Sequence, residues 1–124
     1  MDISREKFEE LVSEAIDDLG EKFLEKMNNV AIFVEDKPSR EQLGKTSRTK
    51  RDWMLFGLFE GYAQGRRINV GPVLPDRITI FRKPICHYAK SEAEVKQQVI
   101  STVKHEIAHH FGLDEAGARK ASRK

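Results

Sequence analysis

The chain has 124 residues, 34% of them charged, and its formal net charge at pH 7 is only +2. This length suits one small domain spanning residues 1–124, and the near balance of charge excludes a general attraction to nucleic acid or membranes. The chain has no apolar run of membrane-spanning or signal-peptide length, and its single cysteine, Cys86, has no internal disulfide partner. We therefore expect a cytoplasmic protein with a buried, structural thiol and no membrane contact.

The first predicted element is an amphipathic helix from Ser4 to Met27, which Gly20 can interrupt. Its apolar residues recur at helical spacing between charged ones, at Phe8, Leu11, Val12, Ala15, Ile16, Leu19, Phe23 and Leu24. Because the polar face mixes acids with bases, we expect this helix to cover a core instead of binding a membrane. The apolar run Val30 to Val34 then predicts a buried strand, and a helix followed by a strand indicates an α+β fold.

Residues 37–51 (KPSREQLGKTSRTKR) contain six basic residues, one acid and almost no apolar side chain. Their polarity and length predict a mobile basic loop, and loops of this kind often border active sites. The segment has no aromatic residues on which bases could stack, so we do not expect it to bind nucleic acid.

Two more strands are predicted after this loop. The segment Trp53 to Phe59 is strongly apolar, Arg67 to Val70 can form a short strand, and RITIF at Arg77 to Phe81 alternates as a strand does before Pro84 ends it. Together with the first strand, these segments indicate a small mixed sheet. A second long helix follows, because Ser91 and Glu94 have the spacing of a capping box. Apolar residues then recur every four positions along one face of this helix, at Val95, Val99, Val103, Ile107 and Phe111.

This last helix carries an HExxH sequence, from His105 to His109. Residues four apart share one face of a helix, so His105 and His109 can bind a single metal ion while Glu106 points to the neighbouring side. A zinc ion held there lowers the pKa of its bound water, and Glu106 can take the water's proton as the water attacks a carbonyl group. The pattern predicts one zinc ion per chain and hydrolysis of an amide bond.

A catalytic zinc site usually has three protein ligands, so a third is expected near the pair. Nine residues follow Glu115, too few for another long helix that carries a distant ligand. Gly112 can end the helix in a left-handed conformation and turn the chain back. Glu115 then stands where the longer HExxHxxGxxH pattern has its last ligand, and Asp114 is the neighbouring alternative.

From Leu55 to Glu115 the chain resembles the small zincin-like metallopeptidases of bacteria, in the segments LFGLFEGYAQGRR, LPDRITIFRKPI and HEIAHHFGLDE. In that family an acid, most often aspartate, closes the HExxHxxGxx pattern. The resemblance implies a minimal zincin-like α+β fold, with a small mixed sheet between an N-terminal helix and the HExxH helix. It also implies zinc ligation by His105, His109 and Glu115, with Glu106 as the base. The three methionines all precede Leu55, so the chain lacks the Met-turn of metzincins.

The resemblance further implies a peptide or protein substrate that adds a strand to an edge of the sheet, either at Leu58 to Tyr62 or at Ile78 to Phe81. Tyr62 and Tyr88 are candidates to hydrogen-bond the developing oxyanion, although a partly buried tyrosine more often has only a packing role. His87 is otherwise a surface histidine but could approach the metal. His110 lies on the far flank from the ligand pair, where we expect it to pack.

Two other functions would use the same features differently. In the first, zinc fixes the C-terminal segment against the helix without catalysis, and Glu106 has no chemical role. In the second, the basic loop binds an acidic or nucleic-acid partner through Lys45, Arg48, Lys50 and Arg51, with an affinity that falls steeply with salt. Neither explains a glutamate between two correctly spaced histidines.

Overall fold

The computed structural model describes residues 1–44, 55–61 and 75–110. Within these ranges the chain forms helices and strands in the order α1 (Arg5–Asp17), α2 (Glu21–Lys26), β1 (Val30–Glu35), α3 (Arg40–Gly44), β2 (Gly57–Glu60), β3 (Asp76–Phe81), α4 (Arg82–Tyr88) and α5 (Glu92–His110). The predicted α+β class is confirmed, with a small three-stranded sheet and with α1 packed directly against α5, the HExxH helix.

The sheet is mixed and has the strand order β1-β3-β2. β1 runs parallel to β3, with Ile32 opposite Ile78, and β2 runs antiparallel to β3, with Gly57 opposite Ile80. The predicted strand at Arg77 to Phe81 is thus the central one, and its inner residues are fully buried. The predicted strand Arg67 to Val70 lies outside the described residues.

The prediction that Val30 to Val34 is a buried strand is wrong in one respect. These residues do form a strand, but their side chains are only partly buried, and Phe33 is 45% exposed. The reason is that, among the strands the structure describes, β1 pairs with β3 alone. Arg77 of β3 covers the exposed ring, because its guanidinium lies 4.3 Å from the Phe33 ring centroid.

The core lies where α1 packs against α5 and where α5 packs against β2 and β3. The predicted apolar stripe of α5 is confirmed as far as the structure describes it, because Val95, Val99, Val103 and Ile107 are all fully buried. Phe111, the last predicted member, lies outside the described residues. Full burial of an aliphatic side chain contributes roughly 1.5–3 kcal/mol, so this stripe fixes which side of α5 faces outward.

The N-terminal amphipathic helix is interrupted at Gly20, as predicted. α1 begins at the cap residue Ser4, whose hydroxyl accepts a hydrogen bond from the Lys7 N–H, and α2 begins after Gly20 with φ of +90°. That left-handed backbone angle favours glycine over residues with a Cβ atom. The break lets α2 turn so that Phe23 is buried while Leu24 remains 40% exposed.

The start of α5 is fixed by Ser91 and Glu94, close to the predicted capping box. The Ser91 hydroxyl accepts a hydrogen bond from the Glu94 N–H at 3.1 Å. The Glu94 carboxylate accepts one from the N–H of Lys90 at 3.3 Å, one residue earlier than in the usual box. Both bonds satisfy N–H groups that have no partner within the helix.

Part of the segment 37–51, predicted as a loop, is the short helix α3. Its first turn is closed by a reciprocal pair, in which the Gln42 N–H donates to the Ser39 hydroxyl and the Ser39 N–H donates to the Gln42 side chain. Gln42 is buried and donates to the Glu60 carboxylate of β2 at 3.4 Å. The loop prediction is therefore wrong for Arg40–Gly44, and residues 45–51 lie outside the described residues.

Helix α4 follows β3 directly and was not predicted. Pro84 lies in its first turn, where a missing N–H breaks no helical hydrogen bond. Cys86 of α4 is buried, as predicted, and burial raises the pKa of its thiol. Within the described parts of the chain, none of the helices combines the length and the apolar character that crossing a membrane requires.

Arg82 at the start of α4 connects this helix to the residue that follows β1 and to the N-terminal segment before α1. Its guanidinium donates to the Asp36 carboxylate at 2.9 Å and to the Ile3 carbonyl at 2.7 Å, and the side chain is only 14% exposed. The hydrogen bond from Arg82 lowers the pKa of Asp36 below its usual 3.8. The ionised pair therefore stabilises the fold above about pH 4, and this contribution is lost as the pH falls through the folded-state pKa.

We expect Arg82→Met to lower the free energy of unfolding by about 1–2 kcal/mol at pH 7, because it removes both bonds from a mostly buried group. Asp36→Asn, which removes only the charge of a half-exposed carboxylate, should cost at most about 1 kcal/mol. Urea unfolding at pH 7 and pH 3 measures both. The Asp36→Asn difference should be smaller at pH 3 than at pH 7, and an unchanged difference would contradict the assigned role of the pair.

Candidate metal centre

The two histidines of the HExxH sequence lie side by side on α5. The ring centroids of His105 and His109 are 4.4 Å apart, with 57° between the ring planes, and both side chains are exposed. They take this position because the buried stripe through Val103 and Ile107 faces the core, which turns the histidine side of the helix outward. Two imidazoles one helical turn apart are a donor set that suits zinc.

Glu106 is half-buried between the histidine pair and the sheet. Its carboxylate accepts a hydrogen bond from the backbone N–H of Phe59 at 3.0 Å. The Phe81 N–H donates a hydrogen bond to the Phe56 carbonyl, which joins β3 to the chain just before β2. In an antiparallel pair, successive residues direct their backbone N–H and C=O groups alternately towards and away from the partner strand. The N–H groups of Gly57 and Phe59 therefore face away from β3. The Glu106 carboxylate is thus hydrogen-bonded to a backbone N–H on the outer side of β2, a group that could otherwise pair with another strand.

His110 holds the same residue of β2 from another direction. Its ring stacks on the Phe59 ring, with centroids 3.9 Å apart and an angle of 16° between the planes. Burial lowers the pKa of His110, and His109 adds to this, while Glu106 and Asp76 oppose it. The neutral imidazole is therefore favoured, as suits an aromatic stack. Phe59 is held by α5 at both its ring and its backbone.

Close contact between β2 and α5 depends on Gly57. A Cβ atom at this position would lie 2.6 Å from the Thr102 Cγ2 atom and 3.2 Å from the Thr79 carbonyl oxygen. The absence of a side chain therefore lets the strand approach the helix. Between them lies an open groove of about 190 Å³. Its lining contains both His105 and Glu106, together with Leu55, Phe56, Gly57, Gln98, Ser101 and Thr102.

The other predicted site residues are placed as follows. Tyr88 is 53% exposed and lines a second groove, which neither His105 nor Glu106 lines. His87 is exposed on α4 and makes an edge contact with the Tyr88 ring. Glu115, Asp114 and Tyr62 lie outside the described residues. Among the residues that the structure describes, there is no cluster of three or more His, Cys, Asp or Glu side chains suited to a metal.

Two features of the site were not predicted from the sequence. The bond between the Phe59 N–H and Glu106 has no sequence signal, because every residue except proline carries a backbone N–H. The requirement for glycine at Gly57 could have been suspected, because glycine inside a strand often marks a close approach of another segment.

The family model of the zincin-like metallopeptidases matches residues 27–122. The matched part includes β1, β2, β3, α4 and α5, and so contains both histidines, Glu106 and the edge strand. No curated protein sequence matches the chain significantly.

Proposed function

The chain belongs to the zincin-like metallopeptidase family, and from this premise we propose that it is a zinc-dependent peptidase that cleaves peptide bonds by attack of water. His105, His109 and Glu115 hold one zinc ion, and Glu106 is the general base. One observation carries the proposal. The paired imidazoles of His105 and His109 stand beside the half-buried Glu106 carboxylate, which is hydrogen-bonded to β2, and His105 and Glu106 line one open groove.

When bound, zinc supplies Lewis-acid chemistry, which polarises a carbonyl group and makes water a nucleophile at neutral pH. Glu106 takes a proton from the attacking water and delivers it to the departing amine. The Phe59 N–H fixes one carboxylate oxygen at 3.0 Å, so the base keeps its orientation between turnovers. Because the donor is a backbone group of a strand, it is itself held in place by the pairing of β2 with β3.

The position of β2 supports an extended peptide or protein as the substrate. Its outer edge faces away from β3, so a peptide could pair with it and lie across the groove that His105 and Glu106 line. Of the two segments considered from the resemblance, Leu58 to Tyr62 overlaps β2, but its Phe59 N–H is bonded to Glu106, so substrate would pair with the part of this edge that precedes Phe59. The segment Ile78 to Phe81 is unsuitable, because β3 is paired on both sides. We propose a cytoplasmic enzyme with no nucleic-acid or membrane partner, supported by the balanced charge and buried thiol.

The assignment of the third ligand is tested by a matched pair of variants, Glu115→Ala and Asp114→Ala. Loss of one of three ligands should weaken zinc binding by at least about 100-fold, because a site with only three protein ligands depends strongly on each of them. We expect this loss for Glu115→Ala only, measured by competition with a chromogenic chelator. The reverse result would move the ligand to Asp114, and equal affinities would exclude both.

The proposed function is tested by incubating the zinc-loaded protein with heat-denatured casein and identifying new peptide termini by mass spectrometry. We expect cleavage that stops on treatment with a chelator and returns on addition of zinc. A protein that holds zinc but cleaves no peptide bond would be a structural zinc protein, and the peptidase proposal would then be wrong.

A further inference from the structure

Two open grooves adjoin on one face of α5. We propose that they form a single channel that binds about five residues of an extended peptide on one side of the scissile bond, and that Tyr88 and Gln98 recognise this part of the substrate. This inference rests on the proposed peptidase function and extends it, because it names a minimum length of substrate and the residues that select it.

The two grooves are neighbours that share part of their lining. The first lies between the start of β2 and the end of α5 and includes His105 and Glu106 in its lining. The second, of about 400 Å³, lies between α4 and the first half of α5 and ends at Tyr88. Gln98 and Ser101 line both, so they form the shared boundary. In the proposed channel, a peptide that leaves the metal ligands along this boundary enters the second groove.

The α5 side of the channel follows from helical spacing. Glu94, Gln98, Ser101 and His105 are three or four residues apart and therefore lie along one face of the helix. At a rise of about 1.5 Å per residue, this stripe is roughly 16 Å long. An extended chain advances about 3.3 Å per residue, so the stripe accommodates about five residues of substrate.

The edge of β2 gives the channel its direction. The Phe59 N–H already donates to Glu106, so a substrate strand cannot use that donor while the base is held. The N–H and C=O groups of Gly57 also face away from β3, by the alternation of the antiparallel pair. Pairing with substrate therefore runs from Gly57 towards Leu55. Both residues line the first groove. Because Phe59 is bonded to Glu106 and Gly57 lies beside Thr102, this direction along β2 runs towards the Gln98 end of α5.

The chemistry of the second groove favours particular side chains. Ile85 and Ala89 are buried and give it an apolar base, while the Tyr88 ring stands at its edge, 5.8 Å from the Phe56 ring centroid. The Gln98 side chain is held by its hydrogen bond to the Thr102 hydroxyl at 3.1 Å. Among the described residues that line this groove, the single charged one is Glu94. An apolar or basic substrate residue therefore suits it better than an acidic one.

The test uses the full-length, zinc-loaded protein, with zinc content verified by elemental analysis. Cleavage sites are first mapped in heat-denatured casein. Peptides around one site are then synthesised and shortened by one residue at a time from each end. We expect kcat/KM to fall by at least about 10-fold when the peptide is shortened from five residues to two on the side of the scissile bond that the channel binds. Shortening on the opposite side of the scissile bond should change kcat/KM little. Replacing the residue at the far end by glutamate should also lower kcat/KM.

Two variants connect this length dependence to the channel. Tyr88→Ala and Gln98→Ala should each lower kcat/KM for the long peptide by about 3–10-fold, mainly through KM, with a smaller effect on the shortened peptide. Tyr88→Phe keeps the ring and should recover most of the loss, which a role of the hydroxyl in oxyanion binding would not allow. Ser13→Ala, at an exposed position of α1 away from both grooves, is the control.

The outcomes separate the two proposals. If short and long peptides are cleaved equally and Tyr88→Ala cleaves the long peptide like the wild type, the channel is excluded and the peptidase proposal stands. If the zinc-loaded wild type cleaves no site in casein, the peptidase proposal is wrong, and the channel fails with it.

Discussion

Replacement of Glu106 by glutamine is expected to lower kcat by about 10²–10⁴-fold, the range that a general base usually contributes. At about 1.4 kcal/mol for each factor of ten, this is a loss of roughly 3–6 kcal/mol of transition-state stabilisation. The physical reason is the loss of a proton acceptor without loss of shape. A glutamine oxygen can still accept the hydrogen bond from the Phe59 N–H, so β2 and α5 should remain in contact.

The measurement compares kcat and zinc content of the Glu106→Gln variant and the wild type on one quenched-fluorescence peptide taken from a mapped cleavage site. Zinc content should be the same in both proteins. Glu92→Gln makes the same chemical change at an exposed position near the start of α5 and should be fully active. If Glu106→Gln cleaves at the wild-type rate, Glu106 is not the base, and the zinc has a structural role or another residue activates water.

Substitution of Gly57 by alanine is expected to lower the free energy of unfolding by about 1–3 kcal/mol, as overpacking of a well-packed contact does. The new Cβ would lie 2.6 Å from Thr102 Cγ2 and 3.2 Å from the Thr79 carbonyl oxygen. Thr102 can rotate only by giving up its hydrogen bond with Gln98, and the Thr79 carbonyl belongs to the central strand. β2 must therefore move away from α5, which weakens the hold of Phe59 on Glu106 and should lower kcat as well.

A second substitution tests this explanation. Thr102→Ser removes the Cγ2 atom and keeps the hydroxyl, so the Gly57→Ala/Thr102→Ser double variant should recover at least half of the lost stability in urea unfolding. Gly44→Ala is the matched control, because no atom of the described residues lies within 4 Å of the position that its Cβ would occupy. A Gly57→Ala variant that is as stable as the Gly44→Ala variant would show that β2 and α5 are not in the close contact described.

The elements that could be predicted from the sequence are those whose pattern is local. The stripe from Val95 to Ile107 recurs at helical spacing and faces the core, and the i, i+4 spacing of His105 and His109 is enough to bring their rings together. The break in the N-terminal helix follows from the conformational freedom of Gly20.

The features that were missed depend on distant parts of the chain. The run Val30 to Val34 has the same composition whether its strand lies in the middle of a sheet or at an edge, so its partial exposure could not be inferred. The Phe59 N–H and Glu106 are 47 positions apart in sequence, and nothing in either residue type indicates that they meet.

In two of the wrong or incomplete predictions, the sequence contained a local signal for the observed structure, but another feature of the same segment favoured a different structure. Ser39 and Gln42 have capping-box spacing, but the polar composition around them favoured a loop over the helix α3. Pro84 was interpreted as the end of a strand, although proline is well tolerated in the first turn of a helix such as α4.

The proposed peptidase requires a zinc ion bound by the histidine pair. The most direct test of this binding is the metal content of untagged protein purified without chelator, measured by elemental analysis. We expect about one zinc ion per chain in the wild type and in His87→Ala, a control that removes an exposed imidazole from α4, and almost none in His109→Ala. Circular dichroism should show that all three are folded. A wild type that neither contains nor takes up zinc, or a His109→Ala variant with full zinc content, would contradict the account.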